Sequence, residues 1–136
     1  MGKKTEITQF YKSVLDMDIA PIVLCDLEHT IVYMNKSAID RYTKQGGENL
    51  IGKSLMNCHT PRARDIINRV IDWFASNIEH NIIYEFRNDE ENKDVYMVAL
   101  RDTDGKLIGY YEKHEFRNRE TANLYDFGKE PKKNSD

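Results

Sequence analysis

Hydrophobic residues along the chain switch between helical and strand spacing, and this alternation predicts the order of the elements. Near the N-terminus they recur every three or four positions, which predicts an amphipathic helix within residues 1–20. The members of this stripe are Ile7, Phe10, Tyr11, Val14 and Leu15. After Pro21, the segments IVLCD and TIVYM flank a polar turn and are typical of two short strands.

Helical signals dominate the middle of the chain. Asn35 is placed to cap a short helix over residues 36–42, and Thr60 followed by Pro61 is a helix-start signal. The second helix is predicted to run to about Asn77, because apolar residues again recur at helical spacing. That stripe consists of Ile66, Ile67, Val70, Ile71, Phe74 and Ile78.

Three strand-like segments follow, beginning at Asn81, Asp94 and Lys106. The last two flank Asp104-Gly105, a hairpin signal because both positions favour a positive φ. Two strands before the helices and three after them predict an α+β domain, with one five-stranded antiparallel sheet and helices on one face. The nearly continuous apolar run VYMVAL predicts cover on the other face too, by the N-terminal helix or a second subunit. Residues 119–136 are predicted to be a flexible tail.

Three phrases in this order resemble the PAS domains of signalling proteins. The segment IVLCDLEHTIVYMNKSAIDRY resembles the PAS opening of strand, Asp turn, strand and Asn-x-x-Ala, with Asp26, Asn35 and Ala38 in those places. ENLIGKSL is similar to a PAS phrase that ends in Ile-Gly-Lys. LRDTDGKLIGYYE resembles the PAS ending of Arg-Asp, a glycine turn and a glycine in the last strand. One departure is His29, which stands where many PAS turns have glycine.

This resemblance implies a PAS-like fold over residues 21–118, preceded by the flanking helix of residues 1–20. It implies a sensory module that binds a small molecule or cofactor and acts through protein–protein interaction, and it does not imply an enzyme. Two alternatives stay open. One is a ligand-free dimerisation module, and the other is a haem or thiol redox sensor, or an enzyme built on the same groups.

Charge and composition exclude other partners. The 136 residues carry a formal net charge of −3, so there is no basic surplus to bind a phosphate backbone directly. No apolar run is long enough for a membrane span, and the N-terminus lacks a signal-peptide core, which predicts a cytoplasmic protein. Cys25 and Cys58 cannot form a disulfide framework.

Cys58 and His59 are the first candidate ligand-binding residues. Their segment, Asn-Cys-His-Thr-Pro, resembles a Cys-His-Pro-Pro turn of PAS modules that accompany hemerythrin-like domains, although Thr60 departs from it. A thiol before a helix start has a tendency to ionise, so Cys58 is a candidate redox group. His59 is a candidate axial ligand if haem is bound. The simpler interpretation, which we favour, is that both residues pack structurally.

Four residues on the later strands complete the candidate ligand-binding set: Tyr84, Phe86, Tyr96 and Val98. Aromatic walls with a few hydroxyl groups suit a planar or acidic small molecule. The same four residues stand where light-sensing PAS relatives carry amide side chains, so a photoactive flavin is not expected. The cofactor therefore stays unnamed, and no metal site is predicted.

The exposed stripe of the N-terminal helix predicts a homodimer. Ile7, Phe10, Tyr11 and Val14 are the candidate interface residues. In an isolated monomer, these apolar side chains would remain in water, and burying each of them contributes about 1.5 to 3 kcal/mol. A signalling protein is the other expected partner.

Overall fold

A computed structural model describes residues 4–127 of the chain. Its helices are α1 (Ile7–Met17), α2 (Lys36–Arg41) and α3 (Pro61–Ser76), and three 3-10 turns lie between α2 and α3 at Thr43–Gln45, Gly47–Leu50 and Leu55–Cys58. Its strands are β1 (Val23–Asp26), β2 (Ile31–Met34), β3 (Ile82–Asn88), β4 (Lys93–Arg101) and β5 (Leu107–Phe116). Each helix and strand of the sequence prediction is present.

The five strands form one sheet in the order β2-β1-β5-β4-β3, and every neighbouring pair is antiparallel. The predicted α+β architecture is therefore confirmed. β5 is the central strand, and the helix-covered face of the sheet is here called the inner face. Gly109 lets β5 approach β1, because a Cβ atom there would overlap the carbonyl oxygen of Cys25.

Both predicted helix caps are present. Thr60 Oγ1 accepts a hydrogen bond from the Ala63 amide at 3.2 Å, and Pro61 occupies the first turn of α3. Asn35 Oδ1 accepts from the Ala38 amide at 2.9 Å and starts α2. These two caps fix the first turns of α2 and α3, because each cap accepts a hydrogen bond from an amide that has no partner within the helix.

The β4–β5 hairpin is present, but its turn differs from the expected type. Gly105 has a φ of 84°, whereas Asp104 is not among the described residues with positive φ. The Asp102 backbone carbonyl accepts a hydrogen bond from the Gly105 amide at 3.0 Å. The Asp102 side chain accepts hydrogen bonds from the amides of Asp104 and Lys106. An aspartate at the start of the turn thus substitutes for a second residue with positive φ.

The apolar stripe of α1 does not cover the outer face of the sheet. Phe10 and Val14 are 55% and 71% exposed, and no residue of α1 is buried. The helix is held at its C-terminal end, where the Leu15 carbonyl accepts from Asn35 and Asp16 accepts from Tyr33. Of the two covers that the sequence predicted for this face, the helix does not provide one through its apolar stripe, because these side chains remain exposed.

The ends of the chain add no further regular element among the described residues. Residues 117–127 form neither helix nor strand and are exposed. The rest of the predicted tail, residues 128–136, and residues 1–3 lie outside the described residues. No helix among residues 4–127 is long and apolar enough to cross a bilayer.

Candidate functional site: a cavity between the helices and the sheet

A cavity of about 330 Å³ lies between the inner face of the sheet and the helical segments. Most of its wall is apolar and comes from the strands, the 3-10 turns and α3. The apolar lining residues are Pro21, Val23, Cys25, Ile31, Met34, Leu50, Leu55, Ile67 and Met97. A volume of this size accepts a small ligand, since pockets for such molecules span about 300 to 1,000 Å³.

One wall of the cavity is built by the segment from Gly52 to Cys58, which runs beside the free edge of β2. The Ile31 amide donates to the Lys53 carbonyl at 2.9 Å, and the Leu55 amide donates to the His29 carbonyl at 2.8 Å. These backbone bonds bring the turn Leu55–Cys58 against the end of the sheet. As a result, Cys58 and His59 both line the cavity.

The loop that carries this pair is fixed by polar contacts. His59 Nδ1 lies 2.8 Å from the Leu55 carbonyl oxygen, so this nitrogen carries a proton and donates it to the carbonyl. Arg64 Nε donates to the carbonyl oxygens of Met56 and His59, each at 3.0 Å. The guanidinium therefore turns back from α3 toward the loop. Cys58 is exposed and His59 is half-buried.

A polar wall lies on the inner face of β5. Tyr110, Glu112 and His114 follow one another at every second position and all line the cavity. Their partners on β4 are Ala99, Met97 and Val95, so the polar groups of this wall come from one strand. The sequence analysis missed it, although polar residues at i, i+2 and i+4 of a central strand are a recognisable signal.

Glu85 of β3 lies beside Glu112, although it does not itself line the cavity. Burial, together with the neighbouring carboxyl group of Glu112, raises the pKa of Glu85 to about 9. The Oε1 atom of Glu85 is buried and has no hydrogen-bond partner among the described residues. Glu85 therefore keeps its proton at neutral pH beside the Glu112 carboxyl group.

His114 is a largely enclosed titratable group on this wall, with a side chain only 6% exposed. Burial, and after it the charge of Lys93, lowers the pKa of His114 below its usual range. Glu112 Oε1 lies 3.6 Å from His114 Nε2. This contact joins a carboxylate to a neutral ring, because the lowered pKa leaves the imidazole uncharged at neutral pH.

The cations behind this wall are already paired. Arg41 binds both carboxylate oxygens of Glu91, at 2.9 and 2.8 Å, and this contact lowers the pKa of Glu91 to about 2. Lys93 is almost fully buried, and its Nζ lies 3.3 Å from the same carboxylate and 5.4 Å from the centre of the Phe116 ring. Neither cation lines the cavity.

Tyr110 connects the cavity with the protein surface. Its hydroxyl lies 2.7 Å from His29 Nδ1, and His29 Nε2 lies 3.0 Å from Asn68 Oδ1. His29 has a φ of 66°, the left-handed conformation that glycine adopts most easily. The departure noted in the sequence thus leaves the turn geometry intact, and the imidazole gives the turn two side-chain contacts that glycine lacks.

The structure places the four predicted strand residues away from the cavity. None of Tyr84, Phe86, Tyr96 and Val98 lines it, and Tyr84 and Phe86 are 56% and 44% exposed. Tyr84 pairs with Tyr96 across the strands, and its hydroxyl donates to Asp94 at 2.6 Å. Alternation explains the error, because their neighbours Ile83 and Met97 take the inner positions.

The arrangement of residues does not fit haem. The hydrogen bond of His59 Nδ1 to the Leu55 carbonyl leaves Nε2 as the ring nitrogen available to a metal, as an axial ligand requires. The cavity, however, is at the lower limit of small-molecule pockets, and Glu112 is on its wall. No group of three potential metal ligands occurs among residues 4–127.

No protein-family profile matches the sequence, and no curated protein matches it. The fold does match solved structures. The PAS domain of a Colwellia psychrerythraea protein superposes with a TM-score of 0.59 at 16% identity, over 82% of this chain and 98% of that one. A sensory box sensor histidine kinase from Vibrio cholerae gives 0.54 at 15%, over 79% and 90%. VqmA bound to DPO gives 0.53 at 14%, over 83% and 58%.

At this level of identity, the similarity concerns the fold. The sheet order and the helical segment between β2 and β3 agree with this similarity. So do the helix cap at Asn35, the positive φ of Gly105 and the close approach of β1 at Gly109. The expected fold and the expected family resemblance are both confirmed on these grounds. The chain therefore contains a PAS-like domain.

Proposed function

We propose that the chain is a sensory module that binds a small molecule in the inner cavity and signals through a protein partner. The cavity carries this proposal, because apolar walls with a few convergent polar groups are what small-molecule sites provide. The sensor kinase and VqmA bound to DPO, both similar in fold, support a sensory role. We propose a binding role rather than a catalytic one, and an action in the cytoplasm.

A retained ligand is the first test. Native mass spectrometry and an absorption spectrum of freshly purified protein are expected to show a small organic molecule bound without haem. If the molecule occupies the cavity, Val23→Phe should displace it, since Val23 lines the wall and the added ring fills the space. Val98→Phe is the matched control, because Val98 is on a strand but not on the cavity wall.

The result can contradict the proposal in a clear way. Val98→Phe and the unmodified protein should retain the molecule equally, and both should show the same rise in melting temperature when it is added back. Equal binding by Val23→Phe, with its native fold confirmed by circular dichroism, would place the ligand elsewhere. The absence of any bound molecule and of any thermal shift with a small-molecule library would refute a ligand-binding function.

A second candidate function is dimerisation, favoured by the exposed stripe of α1. Val14→Glu should convert a homodimer to a monomer in light scattering, because Val14 is 71% exposed and a charge there cannot be buried without cost. Gln9→Glu adds the same charge on another side of α1 and serves as the control. A monomeric unmodified protein, or a dimer that survives Val14→Glu, would exclude this stripe as the interface.

A further inference from the structure

The end of the cavity formed by β5 has an acidic character. Glu112 is the only charged side chain on the wall, and the described lining residues include no Lys or Arg. Its side chain is on the inner face of the central strand and keeps 41% exposure. The nearby cations Arg41 and Lys93 pair with Glu91 instead.

The same end has acceptor atoms that lack donors. His114 lines the cavity and is 94% buried at its side chain, and its Nδ1 has no hydrogen-bond partner among the described residues. Because Nε2 is the nitrogen near Glu112, the neutral ring carries its proton there and Nδ1 is an acceptor. Buried acceptors without a partner destabilise a protein unless a bound group supplies the donor.

A protonated amine supplies what this end lacks. It brings a positive charge for the Glu112 carboxylate and several N–H donors, whereas a carboxylate or phosphate would add another acceptor beside two carboxyl groups. The opposite end of the cavity is formed by apolar side chains such as Val23, Ile31 and Leu55, which suit a hydrocarbon or aromatic body.

Resting on the function proposed above, we infer that the ligand is a small amine with an apolar body, whose ammonium group binds Glu112 next to His114. His114, whose Nε2 lies 3.6 Å from Glu112 Oε1, is the neighbour on the cavity wall of the carboxylate that makes the main contact. Sensitivity of the module to its ligand therefore depends on one charge-assisted hydrogen bond at the centre of β5.

The test compares three probes with the same ring and a similar chain but different charge: phenethylamine, phenethyl alcohol and hydrocinnamate. Binding is followed at neutral pH by amide chemical shifts of the full chain. We expect phenethylamine to bind at least about tenfold more tightly than the other two, the factor that a charge-assisted hydrogen bond gives. Glu112→Gln should remove this preference and leave phenethyl alcohol binding within about twofold, which also shows that the cavity is intact.

Glu79→Gln, at an exposed position far from the cavity wall, removes the same charge and should change none of the three affinities. Equal or tighter binding of the alcohol or the carboxylate would overturn the amine inference, as would a preference that survives Glu112→Gln. Such results leave the cavity a ligand site. If no probe binds, the amine inference is also wrong, and the proposed function fails with it only if native mass spectrometry finds no retained molecule.

Discussion

Replacing Asn35 with alanine should be the most damaging single truncation of a polar side chain in this domain. The side chain is fully buried and joins three parts of the chain. Oδ1 accepts from the amides of Ile22 and Ala38, both at 2.9 Å, and Nδ2 donates to the carbonyl oxygens of Leu15 and Ala20 at 2.8 and 2.9 Å. Every one of these partners loses its hydrogen bond in Asn35→Ala.

The expected loss can be worked from those four contacts. Losing the cap of α2 at the Ala38 amide costs about 1 kcal/mol. The Ile22 amide becomes a buried donor without a partner, which costs about 1 to 3 kcal/mol. The two carbonyl oxygens add about 0.5 to 1 kcal/mol each. Together these changes should lower the free energy of unfolding by about 3 to 6 kcal/mol, a large part of the usual 5 to 15 kcal/mol.

Urea denaturation, followed by far-UV circular dichroism, measures this change directly. Asn49→Ala, at an exposed asparagine, should change the unfolding free energy by less than about 0.5 kcal/mol. A loss below about 1 kcal/mol in Asn35→Ala, at an unchanged m-value, would refute the assignment of these hydrogen bonds.

A second variant at this position separates acceptor from donor. Asn35→Asp keeps the acceptor oxygen but turns a second oxygen toward the carbonyls of Leu15 and Ala20. That contact disfavours the ionised form and raises the pKa of the introduced carboxyl group in the folded state. The variant should therefore lose stability as the pH rises from acidic to neutral, because only the protonated group can donate a hydrogen bond.

Two further predictions concern the cysteines and the pH dependence of stability. Iodoacetamide, read by peptide mass spectrometry under native conditions, should label Cys58 before Cys25, because Cys58 is exposed whereas burial raises the pKa of Cys25 to about 12; equal resistance of both would leave Cys58 a packing residue. The raised pKa of Glu85 means that the folded state holds a proton which the unfolded chain releases above its ordinary pKa of 4.5, so stability should fall as the pH rises from about 4.5 to 9. Glu85→Gln should flatten that fall in unfolding experiments across the pH range, and an unchanged slope would exclude Glu85 as its source.

Local signals made the fold predictable. Asn35, Thr60 and Pro61 each act through a hydrogen bond or a dihedral within a few residues, so their role can be inferred without knowing the rest of the chain. The hairpin at Gly105 is similar, although the aspartate before it was needed to explain the turn. The strand order depends on pairings distant in sequence, and here the family resemblance supplied what the pattern of residues could not.

The candidate site was predictable only in part. Cys58 and His59 were expected at the rim of a pocket, and the structure places both on the cavity wall. The choice of Tyr84 and Phe86 failed because alternation turns both side chains away from the cavity, and the sequence did not show which face of β3 is the inner one. Glu112 was missed because a single carboxylate within a charged strand end is typical of a surface residue. Its place on the cavity wall follows only from the central position of β5 in the sheet, which the sequence did not show.

The two outer strands of the sheet differ in what they offer another chain. The segment around Lys53 pairs with the outer side of β2, so that border is already occupied by backbone hydrogen bonds. β3 is the strand at the opposite edge of the sheet, and it pairs with a neighbouring strand, β4, on one side only. Within residues 4–127, strand addition from a second polypeptide therefore has one edge at which to start. The bulge near Glu85 and the charge of Arg87 interrupt a straight ladder there, which protects the protein against fibril-like stacking.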